Sequence, residues 1–148
     1  MIEMPYRLTI NCKFDEVLES FSKQHKYNWL KDEYVDVLKS LHSTNSNRED
    51  FKVISVELIS KESGMLIAGE VGYIINKTYT SLSGFSSREK EYANCGTLQL
   101  VLLAQYLEKH DFEFWNFGHP HMTYKKRLGC KVYSREEFLK RWQSAIEQ

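Results

Sequence analysis

Hydrophobic residues recur along the first third of the chain with two different spacings. They alternate with polar residues in YRLTIN, which starts at Tyr6 and is typical of a strand. From Phe14, and again from Trp29, they recur every three or four positions, as in amphipathic helices; the two segments are FDEVLESFSKQH and WLKDEYVDVLKSLHS. The polar segment STNSNRED then ends the pattern as a loop. We therefore expect one strand and two helices before residue 51.

The middle of the chain predicts an antiparallel arrangement. FKVISVELIS and MLIAGEVGYIIN are apolar runs joined by the turn residues KESG, and KTYTSLSGF follows as a third strand. GTLQLVLLAQYLEKH is apolar around nearly its whole circumference, which predicts a helix buried against the sheet. FEFWNFG is the next predicted strand. In the closing helix, SREEFLKRWQSAIEQ, we expect Ser134 as the N-cap and Glu137 as its partner in a capping box.

Composition limits the class of protein. The 148 residues, 42% of them hydrophobic and 14% aromatic, suit a single folded domain over residues 1–148. No apolar run approaches the roughly 20 residues of a membrane span, and the N-terminus does not resemble a signal or transit peptide. Three widely spaced cysteines, Cys12, Cys95 and Cys130, argue against a disulfide framework. We expect a cytoplasmic protein.

The order of elements resembles that of acetyltransferase-like (GNAT-like) domains. It predicts the α/β class: a single GNAT-like (acyl-CoA N-acyltransferase-like) domain with a mixed, mostly antiparallel sheet flanked by helices. In that architecture the loop entering the long helix often binds a pyrophosphate through backbone N–H groups. Here the loop reads YANCGT, with Gly96 as its one glycine. We favour a simple helix entry over a coenzyme A site.

Charge is balanced overall and uneven locally. The chain has 20 basic and 20 acidic residues, so its net charge does not indicate a nucleic-acid partner. From His121 onward, however, seven Lys and Arg residues stand against three Glu residues, an excess of four. Such a basic end can attract phosphate, and the alternative is a solvated face that keeps the protein soluble.

Several short strings resemble, in order and spacing, the catalytic domain of the leucyl/phenylalanyl-tRNA protein transferase family. They are PYRLTIN, Trp29 before a helix ending in LH, SVEL, IAGEVGY, SLSGFSSR and LGCKVYSREEFLKRW, and together they run from Met4 to Trp142. The resemblance implies an aminoacyltransferase that moves an amino acid from aminoacyl-tRNA to the N-terminal amine of an acceptor protein with a basic first residue, a modification that tags proteins for degradation. It implies no metal, no organic cofactor and no membrane.

The chain departs from the family pattern in three places. Bacterial members begin with an extra tryptophan-rich domain, and this sequence starts where that domain would end. Bacterial members also carry an aspartate, followed two residues later by glutamine, before the site; Asn116 and Gly118 stand there in this chain. A carboxamide cannot act as a general base. The family's Gly-Glu-Ser string is also unmatched, because the chain reads SLSGF there.

Candidate site residues follow from the resemblance and from chemistry. Asn116 and Tyr124 can donate to an oxyanion, and Glu57, Glu70, His119 or His121 can accept a proton from the attacking amine. The residues expected to bind substrate are Trp29, Ser83, Phe85, Phe114, Gly118, His121, Lys125, Lys126 and Arg127. On a strand, Phe114, Asn116 and Gly118 share one face, so they are expected to line a common pocket.

Each of these residues also has a structural interpretation. Trp29 suits a core position as well as base stacking. For Glu57 and Glu70 we favour the solvent-facing side of their strands over a desolvated position. His119 and His121 have a spacing that suits metal binding, but we favour a surface loop because no third ligand is evident. Besides the transferase, two function classes therefore stay open: a coenzyme-A-dependent acyltransferase, and a binding module for tRNA or protein N-termini without catalysis.

Overall fold

The computed structural model describes residues 3–24, 32–47, 49–118 and 123–147. Along the chain the strands and helices are β1 (Tyr6–Ile10), α1 (Phe14–Gln24), α2 (Asp32–Ser43), β2 (Lys52–Ser60), β3 (Leu66–Ile75), β4 (Thr78–Ser86), α3 (Cys95–Lys109), β5 (Phe114–Asn116), α4 (Thr123–Arg127) and α5 (Arg135–Ile146). Short 3-10 turns lie at Asn45–Asn47 and Lys90–Tyr92. No helix in these ranges is both long and apolar enough to span a bilayer.

The strands of the described residues form one sheet in the order β1-β2-β3-β4-β5. The first four are antiparallel neighbours, in agreement with the predicted mostly antiparallel sheet, and β5 pairs with β4 in parallel after the α3 crossover. This last pairing covers three positions and ends at Thr80 and Asn116, whereas β4 continues to Ser86. Within the described residues, β4 and β5 therefore separate beyond Asn116.

Alternate residues of the strands pack against helices on both sides of the sheet. On the face that carries Val53 and Val71, here called the α1 face, the covering residues come from α1 and α2: Phe14, Val17, Leu18, Phe21 and Leu38. On the opposite face, here called the α3 face, Leu103 and Leu107 pack against Ile54, Val56 and Tyr79. Both faces of the central strands are thus buried, which explains why β2 and β3 are apolar almost throughout.

The structure confirms most predicted elements and changes some details. Ser134 caps α5 as expected, because its hydroxyl accepts from the Glu137 N–H at 3.2 Å. In a capping box the Glu137 carboxylate would accept from the Ser134 N–H. In the described contacts it accepts from Arg141 at 2.8 Å. Helix α4 was not predicted, and β5 is shorter than the predicted strand. Residues 29–31, the predicted start of the second helix, lie outside the described ranges.

Helix α3 is buried against the sheet, as predicted, but only along one side of its apolar circumference. One side, which includes Gln99 and Leu103, is buried against the sheet. The other side contains Val101, which is 40% exposed, and the exposed residues Ala104 and Gln105. The residues of this second side line a cavity and are not part of the core.

Candidate functional site

A cavity of about 770 Å³ lies at the end of β5 and is here called the β5 cavity. Its volume is within the range of small-molecule and cofactor sites. One wall is the outer side of α3, with Leu100, Val101 and Ala104. The rest comes from residues 113–118, from residues 125, 126 and 128–133, and from Phe138. An apolar chamber therefore opens where β4 and β5 separate.

Aromatic rings form the inner part of the β5 cavity. The rings of Trp115 and Phe117 lie 4.2 Å apart between centroids and are tilted by 36°. Trp115 also packs on Tyr79, at 6.3 Å between centroids. Phe114 projects to the other side of the strand, where it meets Phe138 edge to face at 5.3 Å. The half-buried Trp115 and Phe117 present flat apolar surfaces of the kind that bind a base or an apolar side chain.

Asn116 closes the turn that ends β5. Its side-chain oxygen Oδ1 accepts from the Gly118 N–H at 2.9 Å, which is an Asx turn. Gly118 has a φ of +82°, a conformation that glycine adopts without steric cost. Because Oδ1 is held by the backbone, the Asn116 amide group has a fixed orientation at the cavity. An aspartate in this position can accept the same hydrogen bond.

Lys125 is buried, unlike the other two members of its basic run. Its side chain is 8% exposed, and Nζ donates to the backbone carbonyl of Phe117 at 2.7 Å. Burial lowers the pKa of Lys125, and the nearby Cys130 thiol acts in the opposite direction. Lys125 thus connects α4 to the end of the β5 segment, whereas Lys126 and Arg127 are exposed. Of the three cations expected to contact phosphate, Lys126 and Arg127 are exposed enough to do so, and Lys125 is not.

Glu57 is fully buried on the α1 face, so the solvent-facing interpretation is wrong. Its Oε1 accepts from the Thr9 hydroxyl at 2.7 Å and from the Cys12 N–H at 2.9 Å. These bonds fix the connection from β1 to α1. Among the described residues, Oε2 of Glu57 and the hydroxyl of Ser55 have no hydrogen-bond partner. Glu57 therefore organises the fold near the start of α1.

Glu70 is also buried, on the α3 face, and the solvent-facing interpretation is wrong here too. Its Oε2 accepts from the hydroxyls of Tyr79 and Ser81, each at 2.6 Å, and its Oε1 accepts from the Gln99 side chain at 3.0 Å. Burial raises the pKa of Glu70, and the three donors oppose that shift without cancelling it. Burial and the Glu70 charge raise the pKa of Tyr79.

The raised pKa of Glu70 predicts a specific pH dependence of stability. Between its unfolded and folded pKa values the folded protein binds more protons than the unfolded chain, so stability falls as pH rises through that window. Glu70→Gln does not titrate. We expect urea denaturation to show the free energy of unfolding of the wild type falling relative to that of Glu70→Gln as pH rises from about 4.5.

The control for this measurement is Glu19→Gln, because Glu19 is exposed on α1. Its difference from the wild type should stay nearly constant over the same pH range. A wild-type stability that rises with pH relative to Glu70→Gln would contradict the assignment.

The structure brings some predicted site residues together and separates others. Those that line the β5 cavity are Phe114, Asn116, Gly118, Lys125 and Lys126. Ser83 lies opposite Val71, and Phe85 opposite Gly69, both on the α1 face, where Phe85 packs edge to face on Phe21 at 5.9 Å. Glu57 is three strands away from Asn116, about 14 Å by strand spacing alone. The predicted residues therefore do not form one cluster.

Four predicted site residues fall wholly or partly outside the described ranges. Trp29, His119 and His121 lie outside the described residues, as does the side chain of Tyr124, whose backbone belongs to α4. Sequence reasoning also missed residues that now line the cavity, chiefly Trp115, Phe117 and the outer side of α3. One signal pointed to them: α3 has more apolar positions than a single buried face requires.

Gly96, which was considered for a coenzyme A site, has a packing role, whereas His119 and His121, which were considered for a metal, lie outside the described residues. In the described part of the chain, no three His, Cys, Asp or Glu side chains gather as metal ligands would. A side chain at Gly96 would meet Ser86 at 3.1 Å, so the glycine allows the first turn of α3 to pack on β4. This supports a simple helix entry.

Several solved structures with the same architecture are acetyltransferases. A GNAT family acetyltransferase from Staphylococcus aureus matches with a TM-score of 0.54 and 12% identity, covering 88% of this chain and 95% of that one. A ribosomal-protein-alanine N-acetyltransferase from Brucella melitensis matches with a TM-score of 0.54 and 11% identity over 88% and 96% of the two chains. An aminoglycoside acetyltransferase from an uncultured soil metagenomic sample has a TM-score of 0.54 and 9% identity, over 88% and 92%. These similarities show that the fold is GNAT-like.

The sequence itself gives a more specific relationship. No curated protein matches the chain. The sequence profile of the family described as leucyl/phenylalanyl-tRNA protein transferase matches residues 1–143, nearly the whole chain. This match agrees with the order of the strings from Met4 to Trp142. The chain belongs to the leucyl/phenylalanyl-tRNA protein transferase family.

Proposed function

We propose that the protein transfers an amino acid from aminoacyl-tRNA to the N-terminal amine of an acceptor protein, and that the aminoacyl end of the tRNA binds in the β5 cavity. The observation that carries this proposal is the cavity itself. It combines an apolar aromatic wall, an amide of fixed orientation at Asn116 and the exposed cation Lys126, which Arg127, also exposed, follows in α4. These features suit an aminoacyl ester attached to a polyanion.

The transfer needs little from the protein beyond positioning. The neutral amine nitrogen attacks the ester carbonyl carbon, a C–N bond forms, and the C–O bond to the ribose breaks. The amine loses one proton, and the departing ribose oxygen takes one up. Because the ester is already activated, holding the two reactants together supplies several kcal/mol of the barrier reduction. The reaction therefore balances without a metal, a redox partner or an organic cofactor.

Asn116 suits one part of this reaction. Its amide oxygen is held by Gly118, which fixes the plane of the amide and leaves the two hydrogens of Nδ2 as donors for the oxyanion that develops on the carbonyl. A single such donor contributes about 3–4 kcal/mol in well-studied acyl transfer enzymes. The amide cannot accept the amine proton. Asn116 can therefore take over an electrostatic role of the aspartate that stands here in bacterial members, but not a role as general base.

The transfer itself is tested by following radiolabelled leucine, phenylalanine or another amino acid from charged tRNA to a peptide that begins with Arg or Lys. The wild type and Asn116→Asp are assayed side by side, because the aspartate can keep the bond to Gly118. Transfer by the wild type supports the proposal. If both proteins bind tRNA and neither transfers, the transferase proposal fails and a binding module takes its place.

The role of the exposed cations gives a separate prediction. The double variant Lys126→Ala, Arg127→Ala should bind tRNA more weakly, and the slope of log affinity against log salt should decrease by about 1.5 because two phosphate contacts are lost. A filter-binding series over a range of salt concentrations measures this slope. The control pair is Lys39→Ala, Lys52→Ala, since both lysines are exposed on other elements. Equal slopes for the two pairs would contradict this placement of the tRNA.

A further inference from the structure

The buried carboxyl group of Glu70 is linked to the wall of the β5 cavity by two hydrogen bonds. The indole Nε1–H of Trp115, which lines the cavity, donates to the Ser81 hydroxyl at 3.0 Å. Ser81 donates to Oε2 of Glu70 at 2.6 Å. The link therefore runs from the cavity on β5, through β4, to the centre of the sheet on β3.

The direction of each bond in this link is fixed by the chemistry of the donors. An indole nitrogen donates and does not accept, so Ser81 must accept from Trp115. The one hydroxyl proton of Ser81 is then available for Glu70. The Tyr79 hydroxyl and the Gln99 amide supply the remaining donors to Glu70, from β4 and α3. Glu70 is thus held from three sides and serves as a stationary acceptor.

The backbone holds Trp115 less firmly than these side-chain bonds suggest. Strand β5 has three residues, lies at the edge of the sheet, and pairs with β4 at three positions. A short edge strand of this kind is weakly constrained. The orientation of the indole ring therefore depends on the Ser81 bond together with packing against Tyr79 and Phe117.

We propose that Glu70 is a positioning residue for the β5 cavity, and that it acts through Ser81 to fix the Trp115 ring against which the aminoacyl group packs. The part of this inference that concerns the aminoacyl group rests on the proposed function. Glu70 takes no proton from the substrate and does not contact it, because all three of its bonds lie within the sheet and α3. Its effect is exerted on binding rather than on the chemical step.

The chain offers a matched pair of variants for testing the link. Ser81→Ala and Tyr79→Phe each remove one hydroxyl donor from Oε2 of Glu70, but Ser81 alone is bonded to Trp115. The indole N–H of Trp115 is followed in a ¹⁵N–¹H correlation spectrum and assigned by its loss in Trp115→Phe. We expect Ser81→Ala to shift this resonance and to accelerate its exchange with water, while Tyr79→Phe leaves both nearly unchanged.

Variants of Glu70 test its own part in the link. Glu70→Gln still offers an oxygen to Ser81, since Gln99 can turn its amide to suit, and should keep the Trp115 resonance near its wild-type position. Glu70→Leu removes the acceptor and should shift the resonance as Ser81→Ala does. If Glu70→Leu does not fold, the comparison of Ser81→Ala with Tyr79→Phe still tests whether the link through Ser81 orients the Trp115 ring. An indole resonance that Ser81→Ala leaves unmoved overturns the inference.

Kinetics and binding test the consequence for the substrate. Ser81→Ala should raise the KM for aminoacyl-tRNA about fivefold to tenfold with kcat within about twofold, the size expected when one hydrogen bond ceases to organise a binding wall. The Kd for charged tRNA should rise similarly, and the Kd for uncharged tRNA should not.

A shifted resonance with unchanged KM and Kd overturns the inference and leaves the transferase proposal intact. If the wild type does not transfer, the proposed function fails, and the resonance and the two Kd values still test the link.

Discussion

Val101→Trp is expected to reduce aminoacyl transfer by about a hundredfold or more while changing the free energy of unfolding by less than about 0.5 kcal/mol. Val101 lies on the outer side of α3, is 40% exposed and lines the β5 cavity. An indole ring at this position fills space that the aminoacyl end needs, and it leaves the side of α3 that faces the sheet unchanged. A displaced ester carbonyl no longer meets the amine at bonding distance, so the effect falls on the rate of transfer.

The measurement pairs the transfer assay with urea denaturation. Val37→Trp is the control, because Val37 lies on α2 and is 54% exposed, outside the residues that line the cavity. This control should transfer at the wild-type rate and unfold at a similar urea concentration. If Val101→Trp transfers as fast as Val37→Trp, the aminoacyl end binds elsewhere on the protein and the placement in the β5 cavity is wrong.

The positions of most strands and helices could be predicted because the spacing of hydrophobic residues and the turn and cap residues that mark them lie within a few positions of one another. The antiparallel strands β2 and β3 follow from two apolar runs around KESG, and the N-cap of α5 follows from Ser134 and the residues after it. The order of elements was enough to suggest a GNAT-like fold. Helix α4 was missed because its sequence, TYKKR, has no apolar periodicity. Its place depends in part on the bond from Lys125 to Phe117, which joins separate elements.

The environments of Glu57 and Glu70 could not be predicted in this way. An acidic residue in a strand is usually solvated, and what reverses that rule here is the set of donors brought from distant parts of the chain. Glu57 is bonded to Thr9 and Cys12, more than 40 residues away. Gln99, a donor to Glu70, is 29 residues away on another element. The sequence shows the acids, but the fold alone decides whether donors will reach them.

Asn116 shows a similar limit within the candidate site. The family resemblance predicts that it stands in place of the family aspartate, and that prediction says which chemistry such a replacement would remove. The hydrogen bond to Gly118 adds that the side chain also ends β5 and orients its own amide. The sequence thus predicts what Asn116 cannot do, the structure adds what it holds in place, and the paired assay of the wild type and Asn116→Asp separates the two.

Gly72→Ala is expected to destabilise the protein by about 3 kcal/mol, at the upper end of the usual effect of overpacking. Gly72 lies on β3 opposite Ser81. An added Cβ would stand 2.3 Å from the carbonyl oxygen of Thr80 and 2.5 Å from the hydroxyl oxygen of Tyr79. One is backbone of the adjacent strand and the other belongs to a fully buried ring, so neither can move without disturbing the sheet. Urea denaturation measures the loss.

Gly84→Ala is the matched control, because Gly84 lies on the neighbouring strand of the same ladder. Its nearest neighbours would be the Gly69 carbonyl oxygen at 3.3 Å and the Glu70 Cβ at 3.5 Å, so a small adjustment suffices. The lower backbone entropy of alanine in the unfolded chain offsets part of the cost, and we expect a change below about 1 kcal/mol. Equal losses for the two variants would mean that the contact with Tyr79 does not limit packing.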